Sequence, residues 1–493
     1  MTRPATLPEL RAHYGVRYRW LLLLAVMVGS MAGIMSSTII NVAVPDMSRH
    51  FVLGQERAQW VSSGFMVAMT VSMLTTPWLL GRYGYRRTYS GAMWVLLAGG
   101  IAGGLANAFP LVLASRVAEG LAAGVVQPIP AIIIMRAFER HEQARAMSIF
   151  GLGAVLAPAL GPSLGGVLVE WFGWRSIFFM VVPFCLVALW MAARFVPTGA
   201  PGGAAAQRSG AALDWPGLLL ASTGTLCLLN GLVQLHDGLS PHAVVLLASA
   251  LVAFTWFALR QRRLGEAMAG GEPVEPLMNL ALFADRRFAM GSLVAFIYGA
   301  ALFGSTYLLP VYMQVGLQLS PSHVGTILLP AGLALACTIG LAGRFSEWQP
   351  THVLVSLGLA LLALSFVLML TVHLDTALWI LVLYTILGRI GLGFILPSLN
   401  LGAMRGLPGD LIAQGASAIN FVRTLGGAAG VSICGIVLEW RLAAHGDSLA
   451  NARSSAARLA AFNESFLMLA ALCLVALLAA WQLREAAGPG QPP

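Results

Sequence analysis

Two charged residues three positions apart stand in a stretch of the chain that otherwise carries no charge. Arg116 and Glu119 lie within residues 111–135. In a helix, residues at this spacing share a face, so the guanidinium and the carboxylate can form an ion pair. Burial favours the neutral acid and the adjacent arginine favours the carboxylate, so water or a ligand can shift Glu119 between two protonation states. The pair is predicted either to carry a proton or to form a permanent structural salt bridge.

The composition of the chain defines the surroundings of this pair. Of 493 residues, 58% are hydrophobic and only 10% are charged, against roughly a quarter charged in a soluble domain. Lipid must therefore be the main solvent of the chain. At 1.5 Å per residue, Arg116 and Glu119 lie roughly 8 and 12 Å into the membrane. Ionisable groups at such depth are usually functional, so proton exchange by Glu119 is the preferred interpretation.

Other kinds of chemistry have little support in the residues. The five cysteines all fall in apolar stretches, without a CxxC pair or interleaved histidines, so no metal site is predicted. No segment resembles a phosphate-binding loop, so direct use of ATP is not indicated, no cofactor is expected, and coupling must come from an ion gradient. An intramembrane enzyme would need clustered acids, histidines or a nucleophile, which one isolated Glu119 does not supply.

Fourteen stretches are long and apolar enough to cross a membrane as helices. The chain is thus predicted to be an all-α polytopic membrane protein. The predicted spans are 20–44, 58–81, 88–108, 111–135, 146–169, 176–193, 215–235, 243–259, 288–313, 320–343, 351–374, 376–404, 411–438 and 465–483.

The arginines predict the orientation of these spans. The net charge is +9, and all 29 basic residues are arginine. They sit in short loops between apolar segments, which indicates membrane topology rather than a nucleic-acid partner. Cytoplasmic loops of membrane proteins accumulate positive charge. With both termini in the cytoplasm, about 20 arginines fall inside, 6 outside and 3 within helices, so this orientation is predicted.

Two linkers divide the chain. Residues 195–213 are rich in Gly, Ala and Pro and predict a flexible segment, whereas 260–287 mixes arginines with acids. Spans 215–235 and 243–259 lie between them. We therefore predict an N-terminal six-helix half (1–194), linkers with an inserted helix pair (195–286), and a C-terminal six-helix half (287–493). Two six-helix halves around a midplane site form a layout in which the halves rock to give alternating access.

A loop after the second span carries the first family signature. Residues 77–87 (PWLLGRYGYRR) resemble the cytoplasmic loop motif of the major facilitator superfamily, with Gly81 in place of its acid. Gly84 permits the tight turn. Three arginines of the motif can bind helix C-termini or acids, namely Arg82, Arg86 and Arg87. A plain positive-inside loop is the alternative interpretation.

Further motifs extend the resemblance through nearly the whole chain. Residues 116–124 resemble the RxxQGxG motif, with Glu119 in the glutamine position, and residues 157–166 resemble the antiporter motif GxxxGPxxGG. The second half is similar to EmrB- and QacA-like exporters over residues 276–330 and at the NFVRT element, 420–424. Small residues let helices approach closely, so a purely structural role for the antiporter motif stays open. Its matching residues are Pro158, Gly161, Pro162, Gly165 and Gly166.

This resemblance implies a proton-coupled exporter of the fourteen-helix drug antiporter family. Such a protein moves small amphiphilic or drug-like compounds across the bacterial inner membrane, with protons and a small molecule as its ligands. Export of an endogenous metabolite or a siderophore is the alternative, and a passive channel is disfavoured by the antiporter motif. Membrane lipid is an expected partner. A periplasmic adaptor, such as some EmrB-like proteins have, is a further candidate, and the outer segment 439–464 offers it the longest contact.

The expected substrate cavity carries an excess of positive charge. Family members commonly have an acid in the first helix where this chain has Ser36, while Arg389 and Arg423 lie near the midplane. A cavity of this sign disfavours multivalent cations and suits anionic or zwitterionic amphiphiles. The predicted lining residues are Ser36, Asn41, Trp60, Tyr298, Tyr307, Gln314, Arg389, Asn400, Asn420 and Arg423.

Overall fold

The computed structural model describes most of the chain. The described residues are 7–53, 55–200, 211–235, 240–272, 274–373, 376–447 and 455–483. They contain helices and no strand. The all-α prediction is therefore confirmed for this part of the chain.

Seventeen α-helices are formed by the described residues. They are α1 (Leu7–Tyr14), α2 (Tyr18–His50), α3 (Gln55–Ser72), α4 (Thr76–Tyr83), α5 (Tyr85–Gly104), α6 (Phe109–Val126), α7 (Ile129–Ala137), α8 (Gln143–Phe172), α9 (Ser176–Phe195), α10 (Trp215–Gln234), α11 (Pro241–Ala269), α12 (Arg286–Val311), α13 (Pro321–Trp348), α14 (Thr351–Met369), α15 (Leu378–Met404), α16 (Ile412–Ala444) and α17 (Ala456–Ala480). Short 3-10 turns are Gly15–Arg17, Met73–Thr75, Leu280–Ala284 and Trp481–Leu483, and a π-helical turn is Tyr312–Gly316.

Twelve segments of the described residues are long and apolar enough to cross a membrane. They correspond to twelve of the fourteen predicted spans, with shifts at their ends. The other two, 88–108 and 146–169, fall on α5 and α8, and the described part of α8 contributes only a shorter apolar segment, Gln143–Ala157. The count of fourteen therefore remains a prediction, whereas the multi-pass helical architecture stands.

Several helices extend beyond the predicted spans. The inserted helix α11 continues to Ala269, and α16 and α17 reach Ala444 and back to Ala456. The predicted outer segment 439–464 is accordingly much shorter than expected. The reason is local: Ser455 accepts a hydrogen bond from the backbone N–H of Arg458 at 3.0 Å, which caps α17 before the hydropathy of the sequence rises.

The chain divides into two compact units. The first comprises residues 1–225, 253–281 and 406–421, and the second comprises 226–252, 282–405 and 422–493. Three of the five boundaries along the chain fall inside α10, α11 and α16, and the other two lie in the 3-10 turn Leu280–Ala284 and directly after α15. The predicted domain limits at residues 194 and 286 stay a prediction.

Close helix contacts hold the first unit together around α6. Helix α6 packs on α3, and α5 packs on both α6 and α9. A Cβ added at Gly120 or Gly124 would collide with the backbone carbonyl of Phe65 or Met69 on α3. Small residues at this interface let the two helices approach to backbone contact, which brings the α6 side chains against α2, α3 and α5.

In the second unit, glycines of α16 make a similar contact with α12. A Cβ at Gly426 would meet the backbone of Phe296, and one at Gly430 would meet Ala300. The part of α10 in this unit adds Leu232 to an apolar cluster with Ala429 and further side chains of α12 and α16. The midsection of α16, which carries Arg423, is thereby fixed against α12.

Candidate functional site

Arg116 and Glu119 form the predicted ion pair inside the first unit. Both side chains project from α6, and the residues are only 1% and 0% exposed. Arg116 Nη1 donates a hydrogen bond to Glu119 Oε2. The spacing of three residues therefore produces the contact that the sequence predicts, at a position sealed from solvent in this conformation.

Ser36 on α2 completes this cluster. Its hydroxyl accepts a hydrogen bond from Arg116 Nη1 at 2.7 Å and donates to Glu119 Oε2 at 3.2 Å. Arg116 Nη2 also donates to the Ser36 carbonyl at 3.1 Å. Ser36, a predicted cavity residue, thus contacts both members of the ion pair, and its contact with a substrate stays a prediction.

The remaining faces of the Arg116 guanidinium are bound by α3. Nε donates to the carbonyl of Val61 at 3.4 Å, and the group lies 4.2 Å from the centre of the Phe65 ring, within the range of a cation–π interaction. One arginine therefore links α2, α3 and α6. We call Arg116, Glu119 and Ser36 the acid cluster.

The second carboxylate oxygen of Glu119 has a different environment. Oε1 is buried and has no hydrogen-bond partner among the described residues. It faces α5, where a Cβ at Gly99 would lie 2.7 Å from Glu119 Cγ and one at Gly100 would lie 3.5 Å from Oε1. A buried oxygen without a partner costs free energy that a proton or a water molecule could recover. Glu119 is thus held through Oε2, and Oε1 is the oxygen that can accept a proton.

The second unit contains a different charged group. Arg389 lies about 17 Å along α15 and Arg423 about 17 Å along α16, at 1.5 Å per residue. Both act electrostatically on Tyr298 of α12, which is buried. Arg389 Nη2 donates to Thr306 Oγ1 at 3.5 Å, and the Arg423 carbonyl lies against Gly299. We call Arg389, Arg423 and Tyr298 the arginine cluster.

The other predicted cavity residues are distributed over both units. In the first unit, Asn41 is exposed and accepts a hydrogen bond from Ser62 at 2.8 Å, and Trp60 is exposed. In the second, Tyr307 is half-buried and Gln314 is exposed in the π-helical turn. Asn400 is buried in the second unit. Asn420 is buried in the first unit, where its Nδ2 donates to the carbonyl of Ala416. Contact of these six with a substrate remains a prediction.

The loop motif fastens α5 to the segment after α9. Gly84 has a positive φ of 77° and ends α4, a conformation that favours glycine. The Arg86 side chain donates through Nε to the carbonyl of Val196 at 2.7 Å, at the C-terminus of α9. This contact matches the prediction that an arginine of the motif binds a helix C-terminus. Arg82 and Arg87 are exposed.

The antiporter motif lies on α8 and packs against α2. A Cβ at Gly161 would clash with the Thr38 hydroxyl, and one at Gly165 would lie 2.6 Å from Ile39 Cγ1. Gly166 has open space beside it. The side chains of Pro158 and Pro162 lie outside the described residues.

Sequence reasoning missed a set of charges near the start of α17. Arg441 and Arg458 fall in the predicted outer segment 439–464, but Arg458 is buried and donates to Asp447 Oδ1 at 3.2 Å. Arg441 binds Glu464 within the extended helices α16 and α17. Glu119 is therefore not the only acid inside a long apolar helix, although Glu464 is partly exposed where Glu119 is sealed.

Comparison with known proteins decides the family. The profile of the Major Facilitator Superfamily matches residues 26–431, most of the chain. The chain belongs to the major facilitator superfamily. It is therefore a multi-pass membrane transporter. The apolar helices of the described residues and the related transporters support the same conclusion.

Several curated transporters of this superfamily resemble the chain over nearly its full length. The riboflavin transporter RibZ of Clostridioides difficile (strain 630) is 24% identical over 468 residues, covering 94% of this chain and 97% of the relative. The tetracenomycin C resistance and export protein of Streptomyces glaucescens is 28% identical over 432 residues, covering 87% and 78%. A riboflavin transporter and a resistance and export protein are thus similar to this chain at comparable sequence identity.

A solved structure supports the same fold. The crystal structure of the human organic anion transporter MFSD10 matches with a TM-score of 0.66 at 15% sequence identity, covering 94% of this chain and 99% of that chain. At this identity the likeness shows the major facilitator fold and nothing about the substrate. The profile and the relatives establish the transporter class, and this structure supports the fold.

Proposed function

We propose that this chain is a proton-coupled exporter of small amphiphilic compounds, from the fourteen-helix drug antiporter branch of the superfamily. One observation carries the proposal. A buried glutamate is paired through a single oxygen, and its other oxygen has no hydrogen-bond partner among the described residues. Glu119 is placed to gain and lose a proton while Arg116 and Ser36 hold its position.

Protonation of Glu119 changes the charge balance of the acid cluster. With Glu119 ionised, the pair with Arg116 is neutral; with Glu119 protonated, the guanidinium carries an uncompensated positive charge. An unpaired charge in a dry interior is strongly unfavourable, so the protonated protein favours a conformation in which water reaches the cluster. Each protonation state therefore selects a different conformation, which is what coupling to a proton gradient requires.

The contacts of Arg116 explain how this charge change could reach several helices. Its guanidinium binds α2 through Ser36, α3 through Val61 and α6 through Glu119. Loss of the carboxylate charge weakens one of these contacts and alters the balance among the others. Movement of α2 against α6 is the expected first step, because Ser36 bonds to both partners of the pair.

The test is transport by the purified protein in proteoliposomes under an imposed pH gradient. Glu119→Gln keeps the shape of the side chain but cannot ionise. Gradient-driven export should be lost, while substrate binding partly survives. Glu170→Gln is the matched control, because Glu170 is an exposed acid on α8. Unchanged gradient-driven transport in Glu119→Gln would remove this residue from the mechanism.

The arginine cluster supports a preference for anionic or zwitterionic substrates. Arg389 and Arg423 are partly exposed at mid-depth of their helices, where contact of a guanidinium with acyl chains is unfavourable. Their exposed atoms are therefore expected to face water or substrate. A lipophilic sulfonate, which stays ionised, should be exported faster than a dicationic dye of similar size. The opposite order would overturn this preference.

The names of the relatives bear on substrate class. RibZ is a riboflavin transporter and the Streptomyces relative is a resistance and export protein. Export of an endogenous metabolite or a siderophore is therefore the second candidate. Transport rates of drug-like and of metabolite-like compounds, compared with the purified chain, decide between the two candidates. Location in the bacterial inner membrane with cytoplasmic termini, contact with membrane lipid, and a periplasmic adaptor belong to the same proposal.

A further inference from the structure

A cavity of about 290 Å³ opens on the helix pair α10 and α11. None of its lining residues belongs to the acid cluster or the arginine cluster. One part of its wall is apolar, and the other part carries two guanidinium groups. The lining residues are Leu220, Trp256, Leu259, Arg260, Arg263 and Leu264.

The apolar part of the wall continues onto a surface that faces lipid. Helices α10 and α11 are the least buried of the twelve candidate spans. Trp256 is 63% exposed and Leu259 is 51% exposed. In a membrane-spanning helix, such side chains contact acyl chains. The cavity is therefore open to a hydrocarbon chain along α11 as well as to a polar group at its charged end.

The charged part of the wall is fixed by an internal network. Arg260 Nε donates to Asp214 Oδ1 at 2.7 Å, and Gln261 Nε2 donates to Asp214 Oδ2 at 2.7 Å. Asp214 neutralises one of the two guanidinium groups. Arg263 is exposed and forms no ion pair with any residue that the structure describes. The cavity therefore keeps an excess of one positive charge, carried by a side chain that can turn towards a ligand.

Arg262, next to Arg263 on α11, lies outside the cavity lining and provides a matched control. Arg262 lies on the same helical turn but does not line the cavity. It is exposed and bonds to Glu266 at 2.9 Å. Arg262 and Arg263 thus carry the same charge at the same end of α11, and only one of them can reach a molecule in the cavity.

We infer that this cavity binds an anionic phospholipid, with its phosphate at Arg260 and Arg263 and an acyl chain along Trp256 and Leu259. Basic pockets between membrane helices on the cytoplasmic side bind the headgroups of anionic lipids. The exposed apolar wall favours a lipid over free phosphate, because only a lipid fills both parts of the cavity. Arg260 of α11 is also bonded to Asp214, directly before α10. The bound lipid therefore stabilises the contact between the start of α10 and the last turns of α11.

The experiment measures thermal unfolding of the purified full chain in a neutral detergent. Phosphatidylglycerol, phosphatidylcholine and inorganic phosphate are titrated separately. A ligand that binds the folded state raises the unfolding temperature by mass action. Phosphatidylglycerol should produce a saturable increase, and phosphatidylcholine and phosphate should produce little or none.

Two arginine variants locate the effect. In Arg263→Gln, the phosphatidylglycerol concentration for half of the increase should rise at least about fivefold, the contribution of one arginine to an anionic headgroup. Arg262→Gln should respond as the parent does. Trp256→Ala should weaken the response to long-chain phosphatidylglycerol but not to phosphatidylglycerol with six-carbon acyl chains.

Three results would overturn the inference. An equal increase with inorganic phosphate would indicate a free-anion site, and an equal increase with phosphatidylcholine would show that charge is not recognised. Equal weakening in Arg262→Gln and Arg263→Gln would assign the effect to general surface charge. All readouts are independent of transport, so the proposed proton coupling is tested separately.

Discussion

The two units differ in how they hold the charged side chains of their long helices. In the acid cluster of the first unit, Arg116 is paired with Glu119 and its donors are bound by three helices. In the arginine cluster of the second unit, two arginines approach one tyrosine, and Arg389 bonds only weakly to Thr306. A neutral, tightly bound pair suits a protonation switch. A group of two partly exposed arginines suits recognition of an anion.

The largest expected effect comes from breaking the pair on one side. Arg116→Leu leaves the Glu119 carboxylate buried without its partner, and we expect a loss of about 3–5 kcal/mol in stability. The double variant Arg116→Leu/Glu119→Leu should recover most of that loss, because no charge stays buried. Thermal unfolding of the purified variants measures both. Equal destabilisation by the single and double changes would show that the pair is not the origin of the effect.

A smaller effect is expected from crowding the α5 side of Glu119. Gly99→Ala places a methyl group 2.7 Å from Glu119 Cγ and 3.2 Å from the Ser115 carbonyl. Overpacking of this kind costs about 1–3 kcal/mol. Gly91→Ala on the same helix is the control, because its Cβ would meet no atom within 4 Å. If the Gly99→Ala and Gly91→Ala variants unfolded at the same temperature, close packing of α5 on Glu119 would be contradicted.

Removing one hydroxyl from the acid cluster should have a more modest effect. Ser36→Ala deletes the bonds from Ser36 Oγ to Arg116 and Glu119, with an expected loss of about 1–2 kcal/mol. Ser37→Ala is the matched control, since the bond of Ser37 Oγ within the described part of the chain is to the carbonyl of Ile34 in its own helix. The difference in unfolding temperature between these two variants isolates the cluster. No difference would mean that Ser36 does not support the pair.

The smallest effect on stability is expected in the second unit. Arg389 forms no ion pair with any described residue, so Arg389→Gln should leave the unfolding temperature unchanged or slightly higher. Its effect should appear in transport, as slower export of a lipophilic sulfonate. A loss of stability as large as that of Arg116→Leu would erase the contrast between the clusters.

The sequence predicts the membrane helices well because about twenty apolar residues are a strong local signal. It fails at their ends, where polar residues continue the helix. Helix α17 begins at Ala456, nine residues before the predicted span, because Ser455 caps it. Arg458 therefore lies buried beside Asp447 instead of in an outer loop.

The site shows the same division between local and long-range information. The contact between Arg116 and Glu119 follows from their spacing on one helix, and the sequence predicts it. The contacts with Ser36 and Gly99 join helices that are distant in sequence or depend on glycine packing. No periodicity encodes them, so these residues could be placed around Glu119 only once the helices were packed.

The central claim is that Glu119 carries the proton that is exchanged for substrate. The most direct measurement follows internal pH in proteoliposomes while a gradient of a lipophilic sulfonate is imposed, with the membrane potential clamped. The parent and Glu170→Gln should move protons opposite to the sulfonate, and Glu119→Gln should move none. Equal proton movement in Glu119→Gln, or movement in the same direction as the sulfonate, would contradict the account.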